Sequence, residues 1–164
     1  MVSNSFPSQS GNYFYEPVMQ ASAIPYEVTE EGIRVCLIAT QRKKRWVFPK
    51  ASLEGRCSRE VAIRAAREEA GVSGRISEKP VGRYKRLKGS CLYLVEVFPL
   101  EVTAYLRGWR EIGERQRRWM DATQAAQVLV NPELQDMLWR ALKTLGPQVA
   151  AGAMQSGRVQ DQLS

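Results

Sequence analysis

The residues best able to do chemistry lie between Trp46 and Val72, in the run WVFPKASLEGRCSREVAIRAAREEAGV. It reads as the end of a strand, a basic turn and a helix that closes on two adjacent carboxylates, Glu68 and Glu69, with Arg64 one turn earlier and Gly71 just beyond. The chain contains no His, so the commonest general base and metal ligand is missing. Catalysis must therefore use carboxylates, Lys, Tyr or a bound metal. Cys36, Cys57 and Cys91 are odd in number and lack CxxC spacing, which argues against a disulfide framework and a zinc site. Read in isolation, Glu60, Arg64 and Glu68 make ordinary i,i+4 pairs of an exposed helix, worth about a few tenths of a kcal/mol each.

Basic residues surround this run. Lys and Arg total 24 against 17 Asp and Glu, a net charge of +7. Arg42, Lys43, Lys44 and Arg45 precede the apolar Trp46, Lys50 follows it, and Arg83, Lys85, Arg86 and Lys88 form a second group. Such an excess suits a polyanion: a phosphorylated small molecule, a nucleic acid or an acidic membrane surface. It also serves simply to solvate a surface, and individual exposed charges need no other reason. Converging on the space above the helix, the two groups would make a funnel for a polyphosphate chain. Nucleic acid ranks below a phosphorylated small molecule as a partner. No apolar run nears the roughly 18 residues of a membrane span, and the N-terminus shows no signal or transit pattern. The expectation is a cytoplasmic protein with no membrane association.

The elements that must position these residues follow from patterning. At 164 residues and 44% hydrophobic content, one core is expected. Residues 1–17 read as a flexible tail with an aromatic cluster at Tyr13, Phe14 and Tyr15, residues 18–146 as the domain, and residues 147–164 as a disordered tail. A strand is expected over Gln20 to Glu27 and a second over Ile33 to Thr40, joined by a turn at Glu30, Glu31 and Gly32. Pro49 to Cys57 reads as a loop. Ser58 is the expected N-cap of a helix running to about Ala70, with an apolar stripe of Val61, Ala62, Ala65, Ala66 and Ala70 and with Gly71 as its left-handed terminator. Val81 to Leu87 and Cys91 to Leu100 form a hairpin, Thr103 to Arg115 an irregular connection, and Arg117 to Met120 a short strand. Asp121 caps a helix around Gln124 to Leu129, and Pro132 opens a last helix over Glu133 to Leu145 that Gly146 ends.

With these pieces in order, the central run resembles the Nudix family signature, G-x5-E-x7-R-E-U-x-E-E-x-G-U, with U aliphatic. Arg64 falls on the signature Arg, Glu68 and Glu69 on its paired Glu, Gly71 on its Gly and Val72 on its last aliphatic position. The Glu that follows the signature Arg is replaced by Ala65, the first signature Glu by Arg56, and the loop is one residue short, so the box is degenerate. The order of WVFPK, GRYKRLKG, VEVFPLEV, RRWM and PELQDML extends the resemblance over roughly Gln20 to Leu145 and makes it closest to the diphosphoinositol polyphosphate and diadenosine polyphosphate hydrolase branch.

The resemblance implies an α/β fold, the Nudix α/β/α sandwich with a mixed sheet between helices. It implies a metal-dependent hydrolase that cleaves a phosphoanhydride in a diphosphoinositol polyphosphate, dinucleoside polyphosphate or related nucleotide. Glu68 and Glu69 would hold Mg2+ or Mn2+, with Arg64 fixing their geometry. Mg2+ needs only one or two protein carboxylates beside water and substrate oxygens. Arg42, Lys43, Lys44, Arg45, Lys50, Arg83, Lys85 and Arg86 would bind the substrate. With Ala65 unable to bind metal or accept a proton, a substitute carboxylate could be Glu54, Glu96, Glu101, Glu111 or Glu114. The alternative is a non-catalytic module that binds a polyphosphate or nucleotide.

Overall fold

A computed structural model describes residues 16–40, 42, 44–109 and 116–146. Lys43, Glu111, Glu114, the Tyr13 to Tyr15 cluster, all of the expected N-terminal tail before residue 16 and the whole expected C-terminal tail lie outside the described residues. Eight strands are described: β1 (Val18–Thr29), β2 (Gly32–Ala39), β3 (Trp46–Val47), β4 (Lys50–Ser52), β5 (Val72–Ile76), β6 (Gly82–Lys88), β7 (Cys91–Tyr105) and β8 (Arg117–Asp121). Helix α1 (Ser58–Ala65) continues into a π-helical turn, Ala66–Ala70; α2 is Ala122–Val128 and α3 covers residues 132–146.

Two long strands hold the sheet together. β1 and β7 pair in parallel from Val18 with Tyr93 to Tyr26 with Glu101, and every other pairing is antiparallel. Each long strand divides its free edge between two partners. β1 pairs with β4 through Gln20 to Ser22 and with β2 through Tyr26 to Thr29. β7 pairs with β6 through Cys91 to Val97 and with β5 through Leu100 to Tyr105. The mixed sheet and its flanking helices are the expected α/β/α sandwich.

Strand alternation assigns the faces. Ala21 and Ala23 of β1, Cys36 and Ile38 of β2, and Phe98 and Leu100 of β7 pack with Val61, Ala62, Ala66 and Ala70. The expected stripe is buried, and its small residues let the helix lie close to the strands. On the other face, Ile24, Val35, Leu37, Val95 and Val97 meet Ala125 and Leu129 of α2 and Leu134, Met137, Leu138, Ala141 and Leu145 of α3. Burying one such Val or Leu contributes about 1.5–3 kcal/mol.

Five local expectations are corrected. The segment Pro49 to Cys57 contains β4, too short to show a period but held by backbone pairing to the stretch of β1 that β2 leaves open. Cys57, not Ser58, occupies the N-cap of α1, and no side chain caps it. The helix does not stay α-helical to Ala70, because its last five residues close as a π turn before Gly71, which is left-handed at φ 66° as expected. β5 went unforeseen because Gly74 interrupts its pattern; a Cβ there would strike the Glu101 carbonyl, so the close approach of β7 requires Gly. β7 runs through Tyr105, beyond the expected start of the irregular connection, because β5 pairs with its end. Asp121 caps α2 as expected, accepting from the Gln124 amide at 2.8 Å.

Candidate functional site

The acidic pair sits in the π turn. The ladder there closes over five residues, with the Gly71 amide donating to the Ala66 and Arg67 carbonyls, so four-residue α-helical spacing no longer fixes how Glu68 and Glu69 relate to Arg64 and Ala65. Turns of this type recur at functional sites. Glu68 and Glu69 are both partly buried. The Lys50 backbone amide donates to Oε1 of Glu69 at 2.9 Å, which ties the carboxylate to the first residue of β4. β4 is itself held: the Ser22 hydroxyl and the Ala23 amide both donate to the Pro49 carbonyl, at 2.8 and 3.1 Å.

The exit of the turn is anchored as firmly. Leu106 N donates to the Gly71 carbonyl at 2.9 Å, and Nη1 of Arg117, from β8, donates to the Ala70 carbonyl at 2.8 Å. The Arg117 guanidinium lies 4.5 Å from the Trp109 ring centroid and 5.8 Å from that of Tyr105. Tyr105 in turn donates its hydroxyl to Glu27 at 3.0 Å, and burial together with that bond pushes the phenol up to about 12. Burial also pushes the Cys36 thiol on the same sheet face up to about 12, so it is protonated at neutral pH and is not a nucleophile.

Arg64 is partly buried, and its Nε is a buried donor with no hydrogen-bond partner. Ala65 is 1% exposed, so the place where the family signature has a carboxylate is packed and apolar. Of the possible substitutes, Glu54 stands on an exposed turn at φ 49°. Glu96 lies on the α1 face but accepts from Arg83 at 2.9 and 3.2 Å. Glu101 alternates to the opposite face and pairs with Arg75 at 3.0 Å, so it is turned away from α1.

The basic residues separate into groups. Arg42, Lys44 and Arg45 are exposed in the β2–β3 connection, a turn closed on Thr40 by hydrogen bonds with Arg45 and Lys44. Lys50 begins β4 beside Glu69. In β6, Arg83 and Lys85 alternate to the α1 face, whereas Arg86 shares the α3 face with Tyr84 and lies 5.1 Å over the Tyr93 ring. Arg117 and Trp109 were missed as site residues, since only the tertiary structure brings β8 and the segment after β7 to the exit of the π turn. A sequence signal existed in the RRWM run, but it did not say which Arg faces the helix.

Glu68 and Glu69 supply hard oxygen donors in a chain without His, and this fits Mg2+ or Mn2+ retaining water and substrate oxygens. Among the described residues no group of three or more Cys, Asp or Glu is placed to hold a metal. No helix among them is long and apolar enough to cross a membrane.

The C. elegans Ap4A hydrolase, in a binary complex, superposes with a TM-score of 0.66 at 20% identity, covering 79% of this chain and 98% of that one. The NUDIX domain of Shewanella oneidensis NrtR, complexed with ADP ribose, gives a TM-score of 0.65 at 11% identity over 88% of this chain and 99% of that one. At such identities the likeness is one of fold. Nudix hydrolase 4 of Arabidopsis thaliana is 36% identical over 107 residues, 63% of this chain and 51% of that relative. The chain thus spans about half the length of that curated relative. No protein-family model matches. A mixed sheet between helices, with an acidic pair closing the first helix, defines the class as a Nudix-type sandwich. Nudix hydrolase 13, mitochondrial, of Arabidopsis thaliana is 32% identical over 133 residues, 73% of this chain and 64% of that relative, and the chain belongs to the Nudix hydrolase family.

Proposed function

We propose that the chain hydrolyses a phosphoanhydride in a diphosphoinositol polyphosphate, a dinucleoside polyphosphate or a related nucleotide, with Mg2+ or Mn2+ held by Glu68 and Glu69. The observation that carries this reading is the Glu69 carboxylate, turned towards β4 and held by the Lys50 amide at 2.9 Å, with Glu68 beside it in the same π turn. A divalent cation bound there supplies charge neutralisation at the phosphate oxygens and orients the attacking water. Arg64 supports the acidic turn from within the helix. Arg42, Lys43, Lys44, Arg45 and Lys50 draw the polyanion towards the acidic turn, while Arg83 and Lys85 extend the positive field along the α1 face of β6 and Arg86 adds to it only from the opposite face. The ion pair with Glu96 lessens the charge Arg83 has to offer.

The second reading, a non-catalytic module for a polyphosphate or nucleotide, is favoured by the buried Ala65, which offers no proton acceptor at the position where the family signature has a carboxylate. Turnover of a phosphoanhydride panel with and without Mg2+ separates the two. Hydrolysis that requires the ion and falls by about a hundredfold or more in Glu69→Gln, the scale of losing a principal electrostatic contact, supports the hydrolase. Metal-independent turnover, or a Glu69→Gln variant with unchanged turnover, refutes it. Calorimetric binding of the same panel without turnover supports the module.

A further inference from the structure

We propose that Arg117 is a positioning residue for the acidic pair, holding the backbone behind Glu69 as the Lys50 amide holds its carboxylate in front. The inference rests on the reading of Glu68 and Glu69 as the metal-holding pair. Carbonyls at a helix exit lack donors within the helix, and a cation there also complements the helix dipole. Arg117 meets both needs at Ala70, the residue after Glu69, at 2.8 Å. The guanidinium is in turn held by its surroundings. Trp109 lies 4.5 Å and Tyr105 5.8 Å from it, and a planar guanidinium stacks on aromatic faces where an ammonium does not match the shape. Trp109 also packs against Gly71, where a Cβ would collide with its ring, so the aromatic wall and the left-handed terminator fit each other. Arg117 alternates towards α1 while Arg118 alternates away to lie 5.3 Å over Trp46. The two adjacent arginines therefore have different tasks.

Groups that orient metal ligands without touching the metal typically change affinity by about 10–100-fold when lost. Mn2+ titration of the full chain, followed by loss of the free-ion electron paramagnetic resonance signal, reads this without turnover. Arg117→Met keeps the apolar stem and removes the donor, and its Mn2+ affinity is expected to fall by about tenfold or more. Arg117→Lys retains a charge and a donor and is expected to recover part of the loss. Trp109→Leu removes one wall of the guanidinium site and is expected to weaken Mn2+ binding in the same direction, which covers the case of an Arg117→Met variant that fails to fold. A lowered melting temperature with wild-type Mn2+ affinity in these variants overturns the proposal, because that is the signature of a purely structural contact. If the wild-type chain itself takes up no Mn2+, the metal reading is overturned and the proposal with it.

Discussion

Ala65→Glu puts back the carboxylate of the family signature at a position that is 1% exposed and flanked by the buried Ala62 and Ala66. Two costs follow from that burial. Enlarging a packed side chain costs about 1–3 kcal/mol, and withdrawing a carboxylate from water without a partner costs several more. The cation-free variant should therefore lose about 3 kcal/mol or more, equivalent to roughly 10 °C in melting temperature for a domain of this size. If residue 65 borders the same space as Glu69, a divalent cation gives the new carboxylate its partner. Saturation to a hundred times Kd stabilises the folded state by about 2.7 kcal/mol. Differential scanning calorimetry with and without Mn2+ should thus show a large ion-dependent recovery in the variant and a smaller ion effect in the wild type. Phosphoanhydride turnover should rise with that recovery. A variant that melts low and is unmoved by Mn2+ would refute the reasoning, since position 65 would then not share a site with the acidic pair. A variant as stable as wild type without any ion would refute the burial argument.

Gly71→Ala should destabilise the chain by about 2 kcal/mol or more, adding left-handed backbone strain to overpacking against Trp109. Urea denaturation checks this, and unchanged stability would count against the Gly71–Trp109 fit. Tyr84 is buried, and burial pushes its phenol up to about 12, with the nearby Arg86 acting in the opposite direction. The folded state then keeps a proton that the unfolded chain gives up near pH 10. Stability from this group is complete below about pH 10 and is lost as pH rises towards 12. Tyr84→Phe should make the melting temperature fall less steeply across that window, and an identical slope in both proteins would refute the assignment.

The chain's own patterning settled the small apolar stripe of α1, the Asp121 cap and the Gly71 terminator. Each depends on spacing of three to four residues, or on a single residue acting within its own turn. The acidic pair was also legible, because Glu68, Glu69 and Gly71 stand together in one short run. Other features depended on residues far apart in sequence. The amide that fixes Glu69 belongs to a residue 19 positions earlier, and the guanidinium on Ala70 to one 47 positions later. No local pattern encodes such pairs, because strand pairing decides them. Sheet alternation then divided what had read as one basic group, sending Arg83 and Lys85 to the α1 face and Arg86 to the other. The sequence by itself determined which residues could do the chemistry. Tertiary structure decided which of them meet, since a backbone amide or a half-buried arginine has no partner until a distant strand is laid beside it.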